Sequence, residues 1–144
     1  MNYPPPLSLP CEADYRTEYE TNYCSGPILT FDNYPVFFSK GGFDHAFYES
    51  SNRDGVKDLF SQNRATRMNW IEATLKDRNA GLYMGWDNKK KRHNNKSRVA
   101  VVKGNYVVII RFNGAYTKAF FVTAFVADSP ATITKITNGP EWSK

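Results

Sequence analysis

Residues 98–127 read RVAVVKGNYVVIIRFNGAYTKAFFVTAFVA, and their punctuation decides the fold. Three runs, 98–103, 106–112 and 118–127, are rich in Val, Ile, Phe and Tyr, the residue types that fit a pleated, half-buried surface. Gly104-Asn105 and Asn113-Gly114 separate them. Positive φ in a two-residue turn suits Gly and Asn, so each pair predicts a tight hairpin. A fourth β-rich run, 82–87, comes earlier in the chain. The expectation is a four-stranded antiparallel meander. Its strands over 106–112 and 119–127 are apolar on both faces and therefore central.

Upstream of the strands the period changes from two to about three and a half. Phe43, Ala46, Phe47 and Ser50 fall on one helical face, and Met68, Ile71 and Leu75 recur at i, i+3, i+7 within a helix expected over 64–77. Asn63 is its expected N-cap, and Asn79 with Gly81 its stop. Two short apolar pieces, 28–31 and 35–38, read as strands or wall segments. Residues 1–27 carry Pro4-Pro5-Pro6, Pro10, Gly26 and Pro27 and read as an irregular arm. The fold class is α+β, N-terminal helices followed by a four-stranded antiparallel meander sheet, with an arm over 1–27 and a single domain over 28–144.

A chain of 144 residues that is 41% hydrophobic can bury one real core. No basic-then-apolar leader opens it and no apolar stretch is long enough to span a bilayer, so a soluble, cytoplasmic chain with no membrane partner is expected. Cys11 and Cys24 then default to free thiols. His45 and His93 are not arranged with them as ligands, so no metal site and no cofactor are expected. The phosphate-cradling, dinucleotide-binding, nucleophile-elbow and zinc-protease motifs are all missing.

The formal net charge is +5, and Lys89, Lys90, Lys91, Arg92, Lys96 and Arg98 account for all of it: without these six the rest stands at about −1. A dense cationic loop releases counterions from a polyanion, so this loop, with His93 inside it, is a candidate grip on nucleic-acid phosphates. The bland alternative is a solvated hairpin loop.

Three constellations could carry chemistry. His45 lies off the Phe43, Ala46, Phe47 stripe with Glu49 four residues on, a spacing in which a carboxylate could orient an imidazole acting as general base; the competing reading is a surface ion pair. Arg67 and Trp70 share a helix flank, where a guanidinium could grip phosphate and an indole could stack on a base; alternatively Trp70 packs at the core margin. Thr123 is the one hydroxyl in Phe120–Val126, either a structural residue or a donor to a scissile phosphate, with Lys103, Arg98 and Arg111 on neighbouring strands as a cationic floor.

A helix with a His, a helix with Arg and Trp, and a meander ending in Phe-Val-Thr-Ala-Phe together resemble the superfamily grouping barnase, EndoU, colicin-type tRNases and RelE-type toxins, in particular its phage and polymorphic-toxin branches. The resemblance spans about 36–127. It implies a metal-independent endoribonuclease in which the RNA 2′-hydroxyl attacks the adjacent phosphate and leaves a cyclic phosphate. By pattern it points to His45, Arg67, Lys103 and Thr123 as catalytic, and RNA, including tRNA, as substrate, with an inhibitor or immunity protein as a candidate partner. One departure is that no second His occupies a strand position; the general acid is unassigned, with His93 a stand-in. The alternative is a non-catalytic nucleic-acid-binding or adaptor protein, phage-encoded, and a third class is a module whose basic loop binds an acidic protein.

Overall fold

The β-branched run over 98–112 forms two strands joined by the shortest of turns. In the computed structural model, which describes residues 3–49, 59–84, 98–127, 129–139 and 141 and the backbone of 86–87 and 92–93, β8 (Arg98–Lys103) pairs antiparallel with β9 (Tyr106–Phe112) around Gly104-Asn105. Gly104 takes φ 62°, the left-handed conformation that glycine adopts without a Cβ clash. β9 pairs in turn with β10 (Ala119–Val126), and β5 (Gly81–Met84) lines the other edge of β8. A small hairpin of β6 (Trp86–Asp87) and β7 (Arg92–His93) interrupts the chain between β5 and β8.

The α+β class holds, but the sheet is not a four-stranded antiparallel meander. It has six strands and is mixed: β2 (Pro35–Phe37) runs parallel to β10 through Val36↔Ala119 and Phe37↔Phe120, and β1 (Ile28–Leu29) adds on antiparallel to β2. The order is β1-β2-β10-β9-β8-β5. A two-residue parallel ladder between distant segments leaves no local pattern in either one. The second turn also differs from expectation. Asn113 does not sit at a positive-φ hairpin position; it closes a longer loop over 113–118 with its side-chain oxygen, which accepts from the N–H groups of Thr117 (2.9 Å) and Lys118 (3.3 Å). Tyr116, at φ 56°, supplies the left-handed residue.

Part of the segment expected to be an irregular arm is α1 (Glu12–Asn22). Tyr15, Tyr19 and Tyr23 recur every four residues and are buried together against the core. Each hydroxyl finds a carbonyl: Tyr15 donates to Leu7 O, Tyr19 to Ser39 O and Tyr23 to Met68 O, at 2.7–3.0 Å. Burial pushes the Tyr19 and Tyr23 hydroxyls far above the usual phenol range, so they remain neutral donors. α2 (Gly42–Phe47) packs beside Tyr19, and a Cβ at Gly42 would stand 2.6 Å from the Tyr19 hydroxyl, which is why glycine opens that helix. A two-stranded ribbon of β3 (Tyr48–Glu49) and β4 (Leu59–Phe60) follows.

The helix expected over 64–77 is two pieces, α3 (Gln62–Ala65) and α4 (Asn69–Lys76). Between them three-residue hydrogen bonds (Met68 N to Ala65 O, Trp70 N to Arg67 O, Ile71 N to Met68 O) tighten the turn. Ser61, not Asn63, is the N-cap, its hydroxyl accepting from Arg64 N. Met68, Ile71 and Leu75 are fully buried, as their spacing demands.

These helices cover one sheet face. On the other, α5 (Pro130–Thr137), absent from the sequence-based expectation, lays Ile133 and Ile136 over Tyr83, Ala100, Val102, Val107, Ile109 and Phe125. Ser129 caps it by accepting from Thr132 N. Among the described residues no helix is long and apolar enough to cross a membrane, and Cys11 and Cys24 are both free thiols.

Candidate active site

A local irregularity in β10 positions the site. Phe121 pairs with Ile110 but Thr123 pairs with Ile109, so Val122 is an extra residue, a β-bulge that re-aims the second half of the strand. β2 flanks β10 only at Ala119 and Phe120; beyond them no strand among the described residues lies on that edge. The open edge, residues 123–127, is one wall of a cleft of about 640 Å³.

The facing wall comes from the helices. Phe43, Ala46 and Phe47 bind α2 to the core, which turns His45 outward into the cleft. Glu49, on β3, lines it too, as do Asn63 and Arg64 of α3 and Arg67 in the turn after α3. Tyr106 closes the floor and Thr132 of α5 the far rim. His45, Arg67 and Thr123, singled out in the sequence from three different elements, therefore share one cavity.

The cations are held in place. Arg67 Nη1 donates to the Asn63 carbonyl (2.7 Å) and to Asn63 Oδ1 (2.5 Å), and its Cζ lies 5.2 Å from the centre of the Trp70 ring. Its Nε is buried and has no hydrogen-bond partner among the described residues. Arg64 donates to the Ala46 carbonyl (3.4 Å), and its Nε stands 3.9 Å from Glu49 Oε1. Glu49 lies beyond the end of α2, so the helical i, i+4 relation to His45 expected from spacing does not operate, although both residues line the cleft. The Tyr106 hydroxyl, raised by burial, reaches the Arg67 carbonyl at 3.4 Å. Among the described residues no group of three or more His, Cys, Asp and Glu could hold a metal ion. Two guanidiniums, an imidazole and a hydroxyl around an open cavity suit a phosphodiester: cations for its oxygens, an acid–base group and a neutral donor.

Two expected site residues lie elsewhere. Lys103 is ion-paired with Asp77, only 10% of its side chain exposed, with its ammonium 5.4 Å from the Tyr3 ring centre. It is a structural tie, not part of the cleft. Trp70 is no open base platform: its ring stacks on Tyr3 at 4.1 Å, and its Nε1 donates to the Pro4 carbonyl. Of the basic loop, Lys89, Lys90, Lys91 and Lys96 lie outside the described residues, as do the side chains of Arg92 and His93; Arg98 is on β8, opposite Arg111.

The cleft also holds residues that the sequence did not single out. Arg64 reads there only as a further cation near the helix, yet its spacing of three from Arg67 puts both on one side of a helical turn. Tyr106 and Thr132 carry no local signal. No family model, curated protein or solved structure matches this chain.

Proposed function

We propose that the chain is a metal-independent endoribonuclease of toxin type, acting on RNA in the cytoplasm, with tRNA as a candidate substrate and an inhibitor or immunity protein as a candidate partner. The observation that carries this reading is the convergence of His45, Arg67 and Thr123 on one cleft at the open edge of β10. His45 takes the proton of a ribose 2′-hydroxyl; the freed oxygen attacks the adjacent phosphorus; the bond to the 5′-oxygen breaks, and that oxygen takes a proton from water. The products are a cyclic phosphate and a 5′-hydroxyl. Arg67 and Arg64 offset the charge that grows on the phosphorane, and the Thr123 hydroxyl donates to one of its non-bridging oxygens. Stabilising developing charge with fixed donors is the larger share of such catalysis, so a weak leaving-group acid is tolerable.

The test is incubation of the full chain with total RNA, purified tRNA and single-stranded DNA in excess chelator. RNA should be cut and DNA left whole, since DNA lacks the nucleophile. The second reading, a nucleic-acid binder without turnover, is favoured by one observation: His45 is the only histidine among the described residues that line the cleft. Binding without any cleavage would select it.

A further inference from the structure

α5 packs over Ala100, Val102, Val107, Ile109 and Phe125, and beside them on the same sheet face lies a row that is aromatic and cationic. Directly opposed residues share a face, so the pairings Phe37↔Phe120, Phe120↔Arg111 and Arg111↔Arg98 form one row across β2, β10, β9 and β8. Phe37 is 37% exposed, and its ring lies 6.3 Å from that of Phe120. Lys118 Nζ sits over both rings at 5.7 and 5.9 Å, and Arg111 Cζ over Phe120 at 5.8 Å. Arg98 and Arg111 stand side by side with no carboxylate paired to either among the described residues, an arrangement that weakens a sheet unless an anion lies between them. The bulge at Val122 puts Thr123 on this same face, since Ile109 and Arg111 are two apart on β9. The row thus runs on toward the cleft, about 7 Å along the sheet from Phe120 to Thr123, the rise of two residues on β9.

We propose that Phe37, Phe120, Lys118, Arg111 and Arg98 form a docking track for single-stranded RNA, whose bases stack on the two rings and whose phosphates meet the three cations, and which leads the strand into the cleft. An exposed ring and a half-buried ring set between cations that have no carboxylate partner among the described residues are what a flexible polyanion with flat bases requires, whereas an acidic protein surface would use the charges and leave the rings idle. The track rests on the nuclease reading for the destination of the strand, but its binding can be read without cleavage.

Fluorescence anisotropy of the full chain with a labelled oligodeoxythymidylate, which cannot be cut, tests it. The wild type should bind at low salt, and better than it binds a duplex of equal length. Phe37→Ala, at an exposed position that leaves the core intact, should weaken binding about tenfold, and Phe37→Ala with Phe120→Ala further still. Arg98→Gln with Arg111→Gln should flatten the salt dependence by about 0.7 log unit for each phosphate no longer neutralised, while the melting temperature holds or rises. Unchanged affinity in Phe37→Ala and the double Phe variant overturns the track, whether or not RNA is cut; so does displacement by polyglutamate that matches oligonucleotide and ignores the rings. Binding through the rings with no RNA cleavage keeps the track and overturns the nuclease reading alone.

Discussion

Thr123 stands opposite Ile109 across β10 and β9, on the same side of the sheet as Phe120, because Val122 is an extra residue between them. In a regular strand an odd separation would put Phe120 and Thr123 on opposite faces. The bulge therefore sets the hydroxyl on the α5 side of the sheet at the open edge of β10, where it lines one cleft with side chains from α2 and α3. Thr123→Val keeps the shape and removes the donor. Cleavage should fall about 10²-fold, the usual worth of one donor to a developing oxyanion, with no loss in melting temperature.

Lys103 and Asp77 should reveal themselves through pH. The Lys103 ammonium, followed by the Asn79 N–H, holds the Asp77 carboxyl below the ordinary carboxylate range. A carboxyl depressed in the folded state adds stability at pH values above its unfolded pKa and loses it as pH falls through the folded one. Lys103→Met should thus lower the melting temperature at pH 7 and have progressively less effect as pH falls below the ordinary carboxylate range, and leave RNA cleavage unchanged. Thermal melts across that range check it.

Asn113 closes the β9–β10 loop with its own N–H, which donates to Lys118 O at 3.0 Å, and with the two bonds its side chain accepts. Asn113→Ala should destabilise by about 1–2 kcal/mol and Asn113→Pro by more, since proline also deletes the donor. Denaturant unfolding measures both, and hydrogen exchange should show earlier opening of β9 and β10.

Tyr23 ties α1 to the turn before α4 through the Met68 carbonyl at 2.9 Å. Tyr23→Phe leaves the ring packing and removes one of the two donors to that carbonyl, which still accepts from Ile71 N, at a cost of about 0.5–1.5 kcal/mol in equilibrium unfolding.

Strands β8, β9 and most of β10 are legible because β-branched residues run between clear breaks, and the stripe of Met68, Ile71 and Leu75 is legible because its period is local. Helix α1 hides: its two buried tyrosines, with Tyr23 at the C-cap, lie in an otherwise polar, acidic segment flanked by prolines, where the apolar stripe is one residue wide. Helix α5 hides for a similar reason, with Ile133 and Ile136 set among threonines. The parallel register of β2 on β10 and the bulge at Val122 are settled by tertiary packing. Of the candidate site, His45, Arg67 and Thr123 could be picked by residue type and position, whereas Lys103 resembles a free strand cation until the chain brings Asp77 beside it. Trp70 likewise resembles an open platform until Tyr3 folds over it.

The central claim is that His45 removes the proton from the attacking 2′-hydroxyl, and the ratio of single-turnover RNA cleavage rates between His45→Ala and the wild type, measured in excess chelator with RNA binding followed in parallel, tests it most directly. A loss of about 10²- to 10⁴-fold in rate at unchanged affinity is the expected result. Equal rates for the two proteins, or no cleavage by the wild type, would contradict it.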